Sequence, residues 1–365
     1  MPTPQRILVV QPTWVGDAVM ATPALRAIRR FYPNAHISYL LKRYVKPIYT
    51  GMPWADRLIS YRTGKTNKKA GNAQFIGLIG RLRKGKFDMA ILLPGSFKAA
   101  LICKMAGIDR IVGYDRDGRG FLLTDKLLPH REGGKFVPTP ILKYYLGLAH
   151  YLGSTERDLS MQLFVTPSEK READEILTRA GVTEQRPLIM LNPGAQYGSS
   201  KCWPPEYFAV LADRLIDELG AQVMISSAPK ERKIVDEITR RMTHAPIDLA
   251  KAGLSLGALK EIVRQSDLLI TNDTGPRHIA AAFGVPVVAI FGPTHPEWTE
   301  IYYARERIVS VPVHCGPCQL KVCPLDHRCL TRVTPPMIFD TAMQLLPVPL
   351  NAKRRSSEED TSFTQ

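Results

Sequence analysis

Residues 268–278 read Leu-Leu-Ile-Thr-Asn-Asp-Thr-Gly-Pro-Arg-His, and this junction decides the fold class. Its apolar beginning predicts a buried strand that ends at Asp273. A helix then begins after Thr274, because Pro276 fits the first helical turn, where its missing N–H costs nothing. A strand that passes through a short turn into a helix is the repeating unit of a parallel α/β sheet.

The same strand–helix alternation recurs in both halves of the chain. Apolar runs bounded by turn residues predict strands, and apolar residues at helical spacing predict helices. In the first half the predicted strands are 6–11, 36–41 and 89–93, and the predicted helices are 17–32 and 97–106. In the second half the predicted strands are 188–191, 222–226, 268–271 and 287–291, and the predicted helices are 204–219, 230–242 and 274–283.

The chain of 365 residues is long enough for about two domains. An N-capped helix start at residues 166–170 places the boundary near residue 160. We therefore expect α/β domains over 1–160 and 161–335, with a cleft between them. A C-terminal helix over 336–350 is expected to pack back on the N-terminal domain, and the polar residues 351–365 are expected to form a disordered tail.

Composition excludes several classes of protein. The chain is 45% hydrophobic and 23% charged, which is globular and not disordered. No apolar run approaches the roughly 18 residues that a membrane span needs. The first residues lead directly into a strand, without the apolar core of a secretion signal, so we expect the protein to stay in the cytosol.

The net charge of +15 is concentrated in the first half of the chain. Residues 1–150 hold 25 Lys and Arg against 8 Asp and Glu, whereas the remainder holds 24 against 26. Residues 62–86 carry eight basic residues and no acidic one, and their Gly, Asn and Lys content predicts a mobile surface segment. The excess indicates an anionic partner, for which nucleic acid, a phosphorylated lipid surface and a phosphorylated sugar are all open.

Two further junctions place polar residues where strands pass into helices. The first lacks the G-x-G-x-x-G spacing of a dinucleotide site, and Gly16 instead leads to Asp17 in the first turn of a helix. Asp17 there is either a general base or simply an acid stabilised by the helix dipole. The second is a loop of small residues leading to Lys201, which either binds phosphate or is a solvated lysine beside a turn.

The junction at residues 268–278 suits a diphosphate, because free N–H groups open its helix. Asp273 is available for a sugar hydroxyl or a hydrated cation, and His278 lies one helical turn from Thr274. In the alternative interpretation, Asp273 caps the helix amino terminus, and His278 is an interfacial histidine whose hydrogen bonds are satisfied within the protein.

Four of the six cysteines cluster late in the chain, with His314 and His327 nearby. A cytosolic location argues against permanent disulfides, and the spacing fits no standard zinc finger closely. Structural zinc and a packed thiol cluster therefore remain open, and either should serve stability and not chemistry. The clustered cysteines are Cys315, Cys318, Cys323 and Cys329.

These motifs together resemble glycosyltransferase family 9, the ADP-heptose:lipopolysaccharide heptosyltransferases. The resemblance is carried by V-G-D-x4-T-P-x-L at 15–25, N-P-G-A at 192–195 with K-x-W-P at 201–204, and N-D-T-G-x-x-H at 272–278, which is followed by P-V-V-A-I-F-G-P-T at 286–294. P-G-S-F-K-A-A-L at 94–101 is most similar to the heptosyltransferase II branch. The similarity extends over residues 5–345.

The resemblance implies a GT-B fold, which is two Rossmann-like α/β/α domains that face each other across a cleft. It also implies an inverting transfer of heptose from ADP-L-glycero-D-manno-heptose to the inner core of lipopolysaccharide, onto the first heptose. Asp17 corresponds to the catalytic base, and Lys201 to the lysine that steadies the leaving ADP. The implied donor contacts are Asp273, Thr274, Gly275, His278 and, on a looser match, Glu231.

The charge distribution and the resemblance predict the same acceptor. A lipid A-linked, phosphorylated acceptor would lie on the basic N-terminal domain, with the protein peripheral to the cytoplasmic face of the inner membrane. No nucleic-acid partner is expected, since no aromatic residues interleave with the basic segment for stacking. The acceptor candidates are Arg62, Lys65, Lys68, Lys69, Arg116 and Arg119.

Several alternatives remain open at this stage. No cofactor is required by the implied chemistry, although a divalent cation near Asp273 is left open. The acceptor and donor could be those of heptosyltransferase I or III, or another nucleotide sugar. A non-catalytic sugar-nucleotide-binding protein is the alternative from another class.

Overall fold

The computed structural model describes residues 3–62 and 68–346, without the side chains of 68–71 and 135. The chain divides into two compact units. The first unit is Met1–Phe164 with Glu297–Tyr302, and the second is Val165–Pro296 with Tyr303–Gln365. Within the described residues, no helix combines the length and apolar character that crossing a bilayer requires.

The first unit contains a six-stranded parallel sheet in the order β3-β2-β1-β4-β5-β6. The central strands are buried almost throughout, as expected when helices cover both faces of a parallel sheet. The strands of the unit are β1 Arg6–Val10, β2 His36–Lys42, β3 Arg57–Tyr61, β4 Met89–Leu92, β5 Arg110–Tyr114, β6 Asp125–Leu127 and the small hairpin of β7 Arg131–Glu132 and β8 Lys135–Phe136.

The helix predicted over 17–32 is two helices. Proline cannot donate a backbone hydrogen bond, and Pro23 interrupts the ladder in the first turn of the second helix. The Thr22 hydroxyl donates to the Val19 carbonyl at 2.7 Å across this break. The helices of the unit are α1 Val15–Met20, α2 Thr22–Phe31, α3 Lys46–Tyr49, α4 Lys68–Lys84, α5 Phe97–Met105 and α6 Ile141–Tyr151.

The prediction of a mobile surface segment over 62–86 was wrong for most of its length, because α4 occupies it. Leu78 and Leu82 lie four residues apart on one face of α4 and are buried against the core beneath the sheet. The abundance of basic residues and glycines hid this apolar face. Burial of the two leucines secures the helix, since surface propensity alone would leave it marginal.

The second unit repeats the arrangement, with a parallel sheet in the order β11-β10-β9-β12-β13-β14. Its first helix begins with the predicted N-cap, where Thr166 and Glu169 form a capping box. The strands are β9 Leu188–Asn192, β10 Gln222–Ile225, β11 Ile247–Asp248, β12 Leu268–Asn272, β13 Val287–Ile290 and β14 Glu306–Val309. The helices are α7 Pro167–Arg179, α8 Pro205–Leu219, α9 Arg232–Arg241, α10 Leu256–Gln265, α11 Gly275–Ala282, α12 Arg328–Thr331 and α13 Pro335–Leu345.

The last helix, α13, does not follow the expectation that it packs on the N-terminal domain. Its buried residues Ile338, Phe339 and Ala342 belong to the core of the second unit. They join a cluster that also contains the fully buried Trp203. The apolar face of the helix is therefore buried in the core of the unit whose last strand precedes it in sequence. Residues 347–365 lie outside the described residues.

Truncation of Phe339 tests this packing. Phe339 is 4% exposed, so Phe339→Ala should lower the free energy of unfolding by about 3–5 kcal/mol through lost burial and the cavity left behind. Met337→Ala on the same helix is the matched control, because Met337 is 38% exposed and should cost little. Urea unfolding of both variants measures the difference, and equal losses would contradict the packing described here.

Candidate functional site

Strand order brings two polar junctions of the second unit together. β9 and β12 are neighbours in the sheet, with Asn192 paired in register with Thr271. After β9 the chain continues to β10 and β11 on one side of the sheet, and after β12 it continues to β13 and β14 on the other side. The carboxyl ends of β9 and β12 therefore border a crevice. Ligands of open α/β sheets bind at this type of switch point.

Asp273 is the centre of this site. Its side chain is buried, and its Oδ2 accepts hydrogen bonds from Lys201 Nζ at 2.5 Å and from Thr294 Oγ1 at 3.0 Å. A guanidinium nitrogen of Arg277 lies 3.5 Å from Oδ1. Burial pushes the pKa of Asp273 upward, but the charges of Lys201 and Arg277 outweigh it and hold the pKa below its ordinary value. The carboxylate is therefore ionised and already paired with cationic groups, and a divalent cation beside it stays a prediction.

Buried amide and hydroxyl groups fix the turn that carries Asp273. Asn192 Nδ2 donates to Thr274 Oγ1 at 3.0 Å and to Thr271 Oγ1 at 3.3 Å. Asn272 Nδ2 donates to the Pro193 carbonyl at 2.7 Å. These bonds lock the two junctions to each other. Asn192 belongs to the N-P-G-A motif, but its role in joining the two junctions is visible only in the structure.

The amino terminus of α11 is left open to an anion. Thr274 is its N-cap residue, and among the described residues no side chain caps it, because the Thr274 hydroxyl is held by Asn192 and Thr271. Pro276 has no N–H and the Arg277 N–H donates to the Thr274 carbonyl at 3.2 Å, so the Gly275 N–H and the helix dipole are what favour negative charge at this end. Lys201 is close by, since its ammonium also donates to the Asp273 carbonyl at 3.2 Å.

Arg277 is a functional candidate that sequence analysis missed. Its side chain is completely buried and forms two hydrogen bonds to the Glu306 carboxylate on β14, at 2.6 and 2.8 Å. The guanidinium also lies 5.0 Å from the centre of the Phe291 ring. A buried arginine that pairs with a carboxylate along its edge and lies over one aromatic ring is well held, and it presents positive charge to Asp273.

His278 is enclosed behind the same turn. It is 3% exposed, and its Nδ1 has no hydrogen-bond partner in the structure. Burial, with a further contribution from the Arg277 charge, lowers the pKa of His278 to about 3. The imidazole is therefore neutral at physiological pH. Its predicted donor contact stays a prediction.

Glu231 lies against the loop that leads to Lys201. A Cβ added at Gly194 would meet Glu231 Oε2 at 2.1 Å, so only glycine allows the carboxylate to approach this closely. The Ala228 N–H donates to the same oxygen at 3.0 Å. Glu231 thus follows the carboxyl end of β10, as the Asp273 turn follows the carboxyl end of β12 in the same sheet.

Asp17 lies in the first turn of α1, directly after β1 in the first unit. The charge of Asp17 affects the pKa of three nearby tyrosines. Burial raises the pKa of each, and the negative charge of Asp17 adds to the rise at Tyr44, Tyr49 and Tyr145. β1 and β4 are neighbours at the switch point of their sheet, so Asp17 occupies the same topological position as the polar junctions of the second unit.

A cavity of about 490 Å³ in the first unit is lined by three exposed cations, Arg62, Arg81 and Lys98. Among the described residues no acidic side chain lines it, and the Lys98 ammonium lies 5.3 Å from the centre of the Phe75 ring. Arg62 was an acceptor candidate from the sequence, whereas Lys98 was missed although its motif was quoted. Lys98 could have been recognised from the sequence, because it is a lysine in the first turn of a helix that follows a parallel strand.

The remaining acceptor candidates differ in outcome. Arg119 was wrong as an acceptor contact, because it is fully buried and donates to the backbone carbonyls of Pro94 at 2.5 Å and Tyr114 at 3.0 Å. Arg116 is partly buried, with its guanidinium 4.3 Å from the centre of the Phe136 ring. Lys65 lies outside the described residues, and so do the side chains of Lys68 and Lys69.

The clustered cysteines line one cavity of about 20 Å³ in the second unit, together with Ser200 and Pro293. All of them are free thiols. Among the described residues, no three His, Cys, Asp or Glu side chains are grouped so that they could hold a metal ion. Structural zinc therefore stays a prediction, and the cavity shows how thiols could pack without it.

Comparisons with known proteins agree on one family. The family model described as glycosyltransferase family 9 (heptosyltransferase) matches residues 76–328. Lipopolysaccharide heptosyltransferase 2 of Escherichia coli K12 is 30% identical over 84% of this chain and 88% of its own length. Lipooligosaccharide heptosyltransferase 2 of Haemophilus influenzae is 28% identical over 93% of this chain and 99% of its own.

Solved structures support the same assignment. E. coli ADP-heptose lipopolysaccharide heptosyltransferase II superposes with a TM-score of 0.76 at 27% identity, covering 93% of this chain and 98% of that one. A family 9 glycosyltransferase from Veillonella parvula gives a TM-score of 0.80 over 93% and 97%. At 23% identity, that second likeness speaks for the fold alone.

The buried pair of Arg277 and Glu306 yields a stability prediction. Arg277→Met should lower the free energy of unfolding by about 3–5 kcal/mol, because it leaves the Glu306 carboxylate buried without its partner. Arg277→Met/Glu306→Leu removes both charges and should be more stable than the single variant by about 2 kcal/mol or more. Urea unfolding measures both, and a double variant no more stable than the single one would contradict the ion pair.

His278 should make stability fall in mild acid. Its pKa is lowered in the folded state, so between about pH 3 and 6.5 the unfolded chain binds a proton that the folded chain does not. Stability therefore rises with pH across this window, by about 2 kcal/mol between pH 5 and pH 7. Asp273 adds little there, because it is ionised in both states.

The measurement is urea unfolding of the wild type and His278→Gln at both pH values. The variant has no titrating group at this position, so its difference between pH 5 and pH 7 should shrink by about that amount. An unchanged difference would mean that His278 titrates normally in the folded protein.

Proposed function

We propose, since the chain belongs to glycosyltransferase family 9, that it transfers a heptose from an ADP-activated donor to the inner core of lipopolysaccharide. The observation that carries the donor half is the site around Asp273, where Lys201 and the open amino terminus of α11 meet at the switch point of the second sheet. This arrangement matches a diphosphate bridge that carries negative charge next to a sugar with several hydroxyls.

The donor roles follow from the chemistry of the side chains. The amino terminus of α11 and Lys201 would take up charge on ADP as it leaves, which is where electrostatic stabilisation of a transition state is most effective. Asp273, ionised and held by Thr294, would accept hydrogen bonds from sugar hydroxyls. His278, whose imidazole is neutral, and the Glu231 side chain would lie beside the same loops.

The acceptor half rests on the basic cavity of the first unit. Arg62, Arg81 and Lys98 supply three cationic groups without an acidic neighbour in the lining, which suits the phosphorylated sugars of a lipid A-linked inner core. The names of the relatives refer to lipopolysaccharide or lipooligosaccharide as the acceptor. Three relatives at 28–30% identity carry the designation heptosyltransferase 2, so we propose addition to the first heptose.

Transfer would proceed with inversion at the anomeric carbon. Asp17 would remove the proton from the acceptor hydroxyl as that oxygen attacks, and ADP would leave toward the cationic groups of the second unit. No metal is needed for this step, because Lys201 and the helix terminus supply the positive charge. We further propose that the enzyme works at the cytoplasmic face of the inner membrane, where its acceptor is anchored and where basic surfaces are attracted.

The role of Asp17 is tested by Asp17→Asn. Turnover should fall by about 10²–10⁴-fold, the usual contribution of a general base, while affinity for ADP should be unchanged. Asp109→Asn is the matched control, because Asp109 is an exposed carboxylate of the same unit outside the site. Product formation is measured by mass spectrometry with ADP-heptose and a panel of truncated lipopolysaccharide acceptors.

Near-normal turnover of Asp17→Asn would return Asp17 to the role of an acid that merely stabilises a helix amino terminus. Nucleotide binding without transfer to any acceptor of the panel would instead favour the non-catalytic sugar-nucleotide-binding protein.

The basic cavity is tested by replacing Arg62, Arg81 and Lys98 together with Gln. The acceptor KM should rise on the order of 100-fold at low salt, at roughly 1 kcal/mol for each lost contact to an anionic surface. The donor KM should remain unchanged, because the proposed donor residues lie in the other unit. Lys104→Gln removes an exposed charge of α5 outside the cavity and should leave both values unchanged.

Salt provides an independent check of the cavity. The wild-type acceptor KM should rise with salt, since exposed charges are screened beyond about 10 Å at 0.1 M. A triple variant with the wild-type acceptor KM at low salt would show that these cations are only a solvated surface.

A further inference from the structure

The cysteine segment, residues 313–329, lies directly against the loop that carries Lys201. Residues 319–321 of this segment present their backbone carbonyls to that loop. Tyr197 Oη donates to the Gln319 carbonyl at 2.6 Å, and Ser200 Oγ donates to the Leu320 carbonyl at 2.5 Å. The Ser200 N–H donates to the Lys321 carbonyl at 3.2 Å.

The two segments are also in close steric contact. A Cβ at Gly198 would lie 2.1 Å from the Lys321 carbonyl oxygen, so the backbones approach as closely as glycine permits. Ser200 is 1% exposed and lines the same small cavity as the four clustered cysteines. The thiol-lined interior and the loop before Lys201 therefore form one packed body.

The cysteine segment reaches a second loop that contacts Asp273. The Gln319 N–H donates to the Pro293 carbonyl at 2.8 Å, and the next residue, Thr294, donates its hydroxyl to Asp273. Lys201 also contacts Asp273, and its ammonium lies 5.0 Å from the centre of the Tyr197 ring. One short stretch of backbone thus fixes two loops whose side chains converge on the same carboxylate.

We propose that the cysteine segment is a positioning element for Lys201, acting through Tyr197 and Ser200, and that it sets the affinity for the donor diphosphate. This inference rests on the proposed function of Lys201. It gives the cysteine cluster a role beyond stability, because the four thiols line the small cavity against which Ser200 packs. Tyr197 and Ser200 are positioning residues, because their hydroxyls donate hydrogen bonds to the cysteine segment and so act on the donor only through Lys201.

The test compares Tyr197→Phe/Ser200→Ala with the wild type. The double variant removes two hydrogen bonds to the segment and keeps the aromatic ring beside Lys201. Because the loop that carries Lys201 loses two of its attachments, the Kd of ADP measured by titration calorimetry should rise on the order of 10-fold. The acceptor KM should not change. Tyr303→Phe is the matched control, because Tyr303 also donates to a backbone carbonyl of this unit, that of Val285 at 3.1 Å.

The Lys201→Met background separates positioning from a general structural effect. If the segment acts through Lys201, the same two substitutions should change ADP affinity little in that background, because the group they position is gone. An equal loss of affinity in both backgrounds, or no loss in the wild-type background, would overturn the inference. Tyr197→Phe alone, which removes one hydroxyl, gives the same comparison if the double variant fails to fold.

The inference and the proposed function fail differently. If Lys201→Met itself leaves ADP affinity unchanged, Lys201 does not bind the donor, and the proposed donor site is wrong together with this inference. If Lys201→Met weakens ADP binding while the Tyr197 and Ser200 substitutions do not, the donor site stands and the positioning role alone is wrong.

Discussion

A buried carboxylate must be compensated, and the second unit is organised around the compensation of Asp273. Lys201, Arg277 and Thr294 reach this one side chain from three separate segments of the chain. Each of these groups is in turn held: Arg277 by Glu306, and the Lys201 loop by the cysteine segment. Removing Glu306 would leave the Arg277 charge without its partner in a region of low dielectric, which would lower the free energy of unfolding. The site is consequently rigid before any ligand arrives.

Strand order explains why both units place polar residues at equivalent positions. Each sheet follows the same order about a central pair, β1 with β4 and β9 with β12, and each pair opens a crevice at its carboxyl ends. The first unit has Asp17 there, and the second has the Asp273 turn. A duplicated architecture thus carries different chemistry in its two halves. The charge asymmetry follows the same division, since the basic excess lies on the unit that does not contain the Asp273 turn.

Much of the local structure was predictable because it depends on short-range physics. The seven predicted strands begin and end within a few residues of the apolar runs that predicted them, whereas the outer strands of both sheets were not predicted. The capping box of Thr166 and Glu169 marks the start of α7 as expected. The family was also predictable, because its motifs are junctions whose residues are adjacent in sequence. The failures share one cause. α4, α13 and Arg119 were misjudged because burial against distant residues, and not local composition, decides where they lie.

The sequence by itself determined the α/β class, the family, and the identity of the residues at each strand–helix junction. Only the tertiary structure decided which of these residues meet: Asn192 with Thr274 across 82 positions, Lys201 with Asp273 across 72, and Ser200 with Leu320 across 120. It also decided that Arg277 pairs with Glu306 and that Lys98 shares a cavity with Arg62. Such pairings depend on strand order and on the register of neighbouring strands. These are set by long-range packing, and periodicity along the chain carries no record of them.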